Sequence, residues 1–371
     1  MKKWMKTYGI LACVVAAILI IVLKSNGFLG KAWGGVGAVS GQGTDSYGVD
    51  IPYEYRAEIS QRNRINAAVD VSDVVRQEGF RKASCRVADV PKDAVLAMLE
   101  DYYHFYEGEE YEDLKQYLGE DEAYLYFSKE YEELSLFCRL ASYIRMAYRD
   151  QPLGGDYNKE LYALDKDLAH FSLTDCDSRI KELFQAYGVE GELRIQHRTL
   201  DHETMEREAV ELHVDGPPGK PDYEWGEEDD SYYCEIWQLC NGVPATQAYM
   251  LMSVNALDFG EYTILLNKER FLLMFMNEVY LFDYEETRED LMDFEEIIQR
   301  YGRITETIPE NDSVEITDIT LCALNVEQGG GNRAMAPIWV FQGINISGQF
   351  GREIPFVVII DAVTGDELWK S

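Results

Sequence analysis

The fold of this chain is decided by two stretches near its end, PIWVFQGINI at 337–346 and IPFVVIIDAVTGDELW at 354–369. Both are rich in β-branched and aromatic residues, and a polar segment separates them, which predicts a β-hairpin. The second stretch is continuously apolar from Phe356 to Ile360, so we expect that strand to be buried on both faces. Gly365 is expected to supply a turn with positive φ, after which a short strand returns.

Two earlier segments resemble each other and extend this pattern. Residues 174–186 and 287–300 each begin at a Thr with an Asp in the first turn, carry an apolar stripe at helical spacing and are followed directly by Tyr-Gly. Each is followed by an Ile-Trp strand, which indicates two copies of a helix-plus-antiparallel-sheet lobe. Chance similarity between two amphipathic helices is the alternative. The residues predicted to form the structural core are Trp237, Trp339, Val357, Ile359 and Gly365.

The N-terminal segment has the character of a membrane anchor. Seventeen uncharged residues lie between Lys6 and Lys24, and a helix of that length spans roughly 25 Å, against about 30 Å for a bilayer core. Basic residues precede it, which predicts a cytoplasmic N-terminus and an extracytoplasmic C-terminal domain at the cell membrane. A cleaved signal peptide, a lipoprotein and a buried helix are less consistent with the flanking residues.

The remaining organisation is inferred from composition. Loosely alternating apolar residues at 51–75 predict strands, and helical spacing predicts helices near 91–106 and over 129–148. The predicted fold class is α+β, with an N-terminal transmembrane helix, a mixed N-terminal region and two lobes. The predicted boundaries are a cytoplasmic tail at 1–7, a transmembrane anchor at 8–24, a Gly-rich linker at 25–48, a mixed strand and helical region at 49–174, a first lobe at 175–285 and a second lobe at 286–371.

The C-terminal pattern resembles the closing strands of PepSY-type lobes, with Asp366 where glutamate is common. The layout as a whole resembles membrane-anchored auxiliary regulators of cell-wall sensor kinases in Gram-positive bacteria. It also resembles a Gram-positive family of extracytoplasmic proteins with a domain of unknown function, which shares an early strand like residues 65–71. The resemblance implies a non-catalytic binding or regulatory role through protein–protein contacts at the cell envelope. It supplies no site residues.

The charge of the chain limits its partners. The formal net charge is −33 and the pI is about 4.4, so the surface repels nucleic acid and anionic lipid. A basic protein or peptide, a divalent cation, or a neighbouring membrane sensor or peptidase is therefore the expected partner, besides the membrane itself.

No catalytic or cofactor motif is present, because the chain lacks G-x-S-x-G, Walker, dinucleotide and H-E-x-x-H patterns. We therefore predict a protein that is not an enzyme and binds no cofactor. The clustered histidines His197, His202 and His213 are the weak metal candidates. The six cysteines beyond the anchor form no C-x-x-C and are predicted to be mostly free thiols. The alternative functions are a cell-wall hydrolase that uses surface carboxylates and a divalent-cation-binding envelope protein.

Overall fold

The structure is a computed structural model. It describes residues 50–100, 103, 105–111, 114–119, 123–128, 132–148, 158–211, 224–247, 260–328, 332–348 and 352–370. The strands in these residues are β1 (Glu54–Ser60), β2 (Asn63–Asp70), β3 (Arg81–Val87), β4 (Phe105–Tyr111), β5 (Leu114–Gly119), β6 (Tyr124–Ser128), β7 (Glu133–Phe137), β8 (Ala163–Leu164), β9 (Leu193–Leu200), β10 (Ser231–Cys240), β11 (Val243–Thr246), β12 (Tyr262–Asn267), β13 (Phe271–Asn277), β14 (Tyr280–Arg288), β15 (Ser313–Glu327), β16 (Arg333–Ser347), β17 (Arg352–Asp361) and β18 (Glu367–Lys370).

The helices in the same residues are fewer than the strands. They are α1 (Asp73–Glu78), α2 (Lys92–Leu99), α3 (Arg139–Ala147), α4 (Leu173–Ala186), α5 (His202–Glu211) and α6 (Phe294–Thr305).

The first sheet is built on the long antiparallel hairpin of β15 and β16, which pair from Ser313↔Ile346 to Glu327↔Arg333. β17 pairs with β16 and β18 pairs with β17, so the predicted C-terminal hairpin is present. On the other side of the hairpin, β15 pairs in parallel with β2 and, further along, with β11. β1 pairs with β2, while β3 pairs with both β14 and the start of β16. The first sheet therefore combines strands from both ends of the described chain.

The second sheet is antiparallel and has the order β8-β9-β10-β12-β13-β7-β6-β5-β4. A tight turn joins its strand β10 to β11 of the first sheet. In this turn Asn241 and Gly242 have φ values of 56° and 75°, the left-handed conformations that a two-residue hairpin turn requires. This hairpin connects the two sheets.

Each sheet buries one face against one long helix. α6 covers the first sheet, where Tyr301 stacks on Phe341 with ring centroids 4.7 Å apart and Phe294 meets Trp339 edge-on at 5.2 Å. α4 covers the second sheet with the buried residues Cys176, Ile180, Leu183 and Phe184. Residues 51–85 share the core of the first sheet with residues 280–362. Most of the buried hydrophobic residues between these two segments form the core of the second sheet.

The five residues predicted to form the core lie in these elements as follows. The side chains of Trp237, Trp339, Val357 and Ile359 are all buried. Gly365 has a φ of 74°, and a Cβ at this position would lie 2.9 Å from Sδ of Met292. Only glycine fits this turn without strain.

The predicted fold class is wrong. The described residues are mostly strands of a large mixed sheet network, in place of a mixed N-terminal region followed by two helix-plus-sheet lobes. The strands of residues 54–87 complete the first sheet, because β2 pairs with β15 and β3 with β14. The helix predicted at 129–148 is divided into β7 and α3, because Leu134 and Leu136 alternate in a buried strand.

The helix predicted at 287–300 is also shifted. α6 begins at Phe294, because Thr287 belongs to β14 and Asp293 is the residue that caps the helix, accepting a hydrogen bond from the backbone N of Glu295 at 2.9 Å. The helix continues through Gly302 to Thr305.

The predicted membrane anchor at 8–24 lies outside the described residues, as do the tail at 1–7 and the linker at 25–48. Among the residues that the structure does describe, no helix is both long enough and apolar enough to cross a bilayer. Within the residues that the structure describes, this finding contradicts the transmembrane helix of the predicted fold class and the predicted single-pass localisation at the cell membrane.

Candidate functional site

The candidate site lies between helix α4 and strands β9 and β10. Ser172 caps α4, because its Oγ accepts a hydrogen bond from the backbone N of Asp175 at 3.1 Å. The buried stripe of α4 then presses Cys176 against the second sheet. On that sheet Cys234 of β10 is directly opposite His197 of β9 in antiparallel register, which brings their side chains out on one face. The fold thus brings together two thiols and an imidazole that are far apart in sequence.

These three side chains form a closed cluster. Sγ of Cys176 lies 3.6 Å from Sγ of Cys234. The possible ligand atoms of the two cysteines and His197 all lie within 4.8 Å of one another. Both thiols are fully buried, and His197 is only 5% exposed. A bulky substrate does not reach the sulfur atoms, so the geometry is that of a closed ligand site and not of a catalytic cleft.

Two carboxylates hold the imidazole ring in place. Nδ1 of His197 is 3.0 Å from Oδ1 of Asp165, which also accepts a hydrogen bond from the His197 backbone N at 3.1 Å. Nε2 of His197 is 2.9 Å from Oδ1 of Asp177, the residue that follows Cys176 on α4. Asp177 is in turn 3.5 Å from Nζ of Lys181. The ring orientation is therefore fixed from both nitrogens.

The pKa values of the two thiols and the imidazole depend on one another, because the three side chains are in contact. The hydrogen bond with Cys234 lowers the pKa of Cys176 to about 7 against the opposing effect of burial, with help from His197. Burial alone would lower the pKa of His197, but hydrogen bonds with Cys176 and Asp165 raise it to about 9. Burial raises the pKa of the Cys234 thiol well above its ordinary value. Without a bound ion, Cys176 is thus the thiol of the pair that loses its proton more readily.

The structure separates the three histidines predicted as metal candidates. His197 lies in the cluster, whereas His202 bonds through Nδ1 to Oδ1 of Asp230 at 2.8 Å. His213 lies outside the described residues. Sequence reasoning missed Cys176 and Cys234, because one is on a helix and the other on a strand and no short spacing connects them. The sequence does show that Cys176 closely follows a helix N-cap. This pattern does not identify the residues that Cys176 contacts.

A buried carboxyl forms a separate polar feature, just before β12. Glu261 is 9% exposed, and its Oε1 accepts hydrogen bonds from Oγ1 of Thr246 and from the backbone N of Gln247. Burial raises the pKa of Glu261 to about 7 despite these hydrogen bonds, and the charge of Glu278 adds to the rise.

The variant Glu261→Gln is expected to remove one source of pH-dependent stability. Because the pKa of Glu261 in the folded state is above its ordinary value of 4.5, its stabilising contribution is complete below pH 4.5 and is lost as pH rises through 7. Relative to the variant, the wild type should therefore lose up to about 3 kcal/mol of unfolding free energy between pH 5 and pH 8. Urea unfolding of both proteins at the two pH values measures this difference. Parallel pH profiles would contradict the assignment.

Comparison with known proteins adds information on the fold. No family model matches the chain, and no curated protein matches it significantly. The chain is similar to an uncharacterised protein from Eubacterium rectale ATCC 33656 whose crystal structure is known at 1.45 Å resolution. The TM-score is 0.58 at 12% identity, and the match covers 86% of this chain and 94% of the other. At this identity the likeness concerns the fold alone, and the resemblance to PepSY-type lobes stays a prediction.

Proposed function

We propose that the protein is a non-catalytic metal-binding protein that holds a zinc-type ion at Cys176, Cys234 and His197. The observation that carries this proposal is the buried convergence of two thiols and an imidazole with their ligand atoms within 4.8 Å. Burying polar side chains in a protein core costs free energy unless they form hydrogen bonds with one another or bind an ion. A metal ion would bind all three side chains at once and would link α4 to β9 and β10.

The donor set and spacing suit zinc. Thiolate and imidazole are the ligands of structural zinc sites, where Zn–S bonds are about 2.3 Å long. Two such bonds at a tetrahedral angle place the sulfur atoms about 3.8 Å apart, close to the 3.6 Å between Cys176 and Cys234. Hard cations such as Ca²⁺ and Mg²⁺ prefer sites made of oxygen. The site therefore favours zinc or another borderline-soft divalent ion.

The two aspartates have separate roles in this proposal. Asp177 contacts Nε2 of His197, the nitrogen on the side of the helix, and would release this nitrogen when a metal binds there. Asp165 contacts Nδ1 and would accept its hydrogen, which fixes the tautomer whose Nε2 can bind the metal in exchange for its contact with Asp177. Carboxylates in this second position raise the basicity of a histidine ligand and are worth about 10–100-fold in metal affinity.

The proposal is tested by titrating the purified full chain, stripped of metal and reduced, with Co²⁺ and then Zn²⁺. One Co²⁺ per chain should bind with a thiolate charge-transfer band and the strong visible bands of tetrahedral coordination, and Zn²⁺ should displace it. Cys234→Ser should lower the affinity for Co²⁺ severely and weaken the charge-transfer band of any complex that still forms, because only the Cys176 thiolate remains. Asp165→Asn should keep the band and lower affinity about 10–100-fold.

Cys322→Ser is the matched control. Cys322 is also a fully buried cysteine in a strand, but it lies outside the cluster, so its variant should bind Co²⁺ as the wild type does. Absence of thiolate bands in the wild type, or equal loss in the Cys322 and Cys234 variants, would overturn the proposal. Circular dichroism of each variant separates loss of ligand from loss of fold.

A further inference from the structure

We infer that Cys176 and Cys234 also form a reversible disulfide when a small hydroperoxide reaches them, so that the metal and the disulfide are alternative states of one sulfur pair. The part of this inference that concerns the metal rests on the proposed function. The disulfide itself stands on the geometry of the two thiols and is tested separately.

The first argument is the position of the two sulfur atoms. They are 3.6 Å apart, and a disulfide requires about 2.05 Å. One sulfur comes from α4 and the other from β10, and the two atoms are already in contact, so we expect rotation of the two side chains to bring them into bonding range. Other cysteines of the described residues have different neighbours. Sγ of Cys85 contacts Asn325, and Sγ of Cys240 contacts Asn241.

The second argument is access. The two thiols are buried, but the carboxylates that contact the third member of the cluster are not. The carboxylates that flank His197 belong to Asp165 and Asp177, whose side chains are 57% and 32% exposed. We expect an oxidant close to water in size to reach the cluster between these two carboxylates. A large disulfide such as oxidised glutathione is excluded, because thiol–disulfide exchange needs direct access to the sulfur atom.

The chemistry balances with hydrogen peroxide as the oxidant. The Cys176 thiolate attacks one peroxide oxygen, which forms an S–O bond and breaks the O–O bond, and the released hydroxide takes a proton to give water. Sγ of Cys234 then attacks the sulfenic sulfur of Cys176, which forms the S–S bond and expels the oxygen as a second water with the thiol proton. The two thiols lose two electrons, and one peroxide becomes two waters. A metal held by both sulfurs loses two of its three protein ligands in this cluster.

The first arm of the test uses the reduced, metal-free full chain. Treatment with a modest excess of hydrogen peroxide should remove two thiols and lower the mass by about 2 Da for the loss of two hydrogens. Peptide mapping should find the Cys176–Cys234 cross-link, and dithiothreitol should reverse it. Cys322→Ser should behave as the wild type, whereas Cys234→Ser should stop at an oxidised Cys176. If no cross-link between these two residues forms, the inference is overturned whatever the result with metal.

The second arm uses the chain loaded with Zn²⁺, with released zinc measured by a colorimetric indicator. One zinc should appear per Cys176–Cys234 disulfide, and reduction should restore the binding of one zinc. A disulfide that forms while zinc is retained would overturn the exclusive relation between the two states. A chain that holds no zinc before oxidation would refute the proposed function. The first arm would still show whether the disulfide forms.

Discussion

Replacing Ile360 with alanine is expected to lower the free energy of unfolding by about 2–5 kcal/mol. Ile360 is fully buried near the C-terminal end of β17, where it pairs with Trp339 across the sheet. The substitution removes apolar surface from a close-packed core and leaves a cavity that the sheet cannot fill. The midpoint and slope of urea unfolding measure the loss.

Ile354→Ala is the matched control for this prediction, because Ile354 lies in the same strand but is 48% exposed. The same change of side chain should cost about 0.5 kcal/mol or less at this position. Equal losses in the two variants would show that β17 is not the buried strand described above.

Gly343→Ala is expected to destabilise the protein by about 3 kcal/mol, at the upper end of the range for overpacking. A Cβ at this position would lie 1.9 Å from the backbone O of Glu315 and 2.7 Å from Cα of Ile316. The partner strand β15 shifts register between Ile316 and Asp318, and its backbone fills the space that the missing side chain leaves. Since backbone atoms cannot move aside as the end of a side chain can, the pairing of β15 with β16 has to be distorted.

The control is Gly191→Ala, because a Cβ at Gly191 meets no atom within 4 Å. The variant is expected to be neutral or stabilised by about 0.4–1 kcal/mol through the smaller entropy of its unfolded chain. Thermal and urea unfolding of the two variants should therefore move in opposite directions or differ clearly in size. Similar effects would contradict the close approach of β15 and β16 at Gly343.

The elements that could be predicted are those specified by residue patterns within a short stretch of sequence. The C-terminal hairpin and helix α4 have apolar runs, caps and turn residues that act over a few positions. The pairing of β2 with β15 has no such signal, because parallel partners are chosen by contacts between distant segments. For this reason the sequence could not show that residues 54–87 complete a sheet built from the end of the chain.

The candidate site was predictable only in part, for the same physical reason. His197 could be singled out as a possible ligand from its residue type alone. Its partners Cys176 and Cys234 are recruited by the packing of a helix on a sheet and by strand register. Helical periodicity indicates that Cys176 faces a core, but it does not identify the strand on the other side.

The mixed origin of the first sheet has a consequence for biosynthesis. The ribosome completes β1, β2 and β3 long before it makes β15 and β16, so the early strands leave the exit tunnel without their partners. The segment that forms the second sheet is synthesised between them and has its own core, so we expect it to fold first in the nascent chain. Until translation ends, the unpaired edge of β2 is exposed and is the part of the polypeptide most in need of a chaperone.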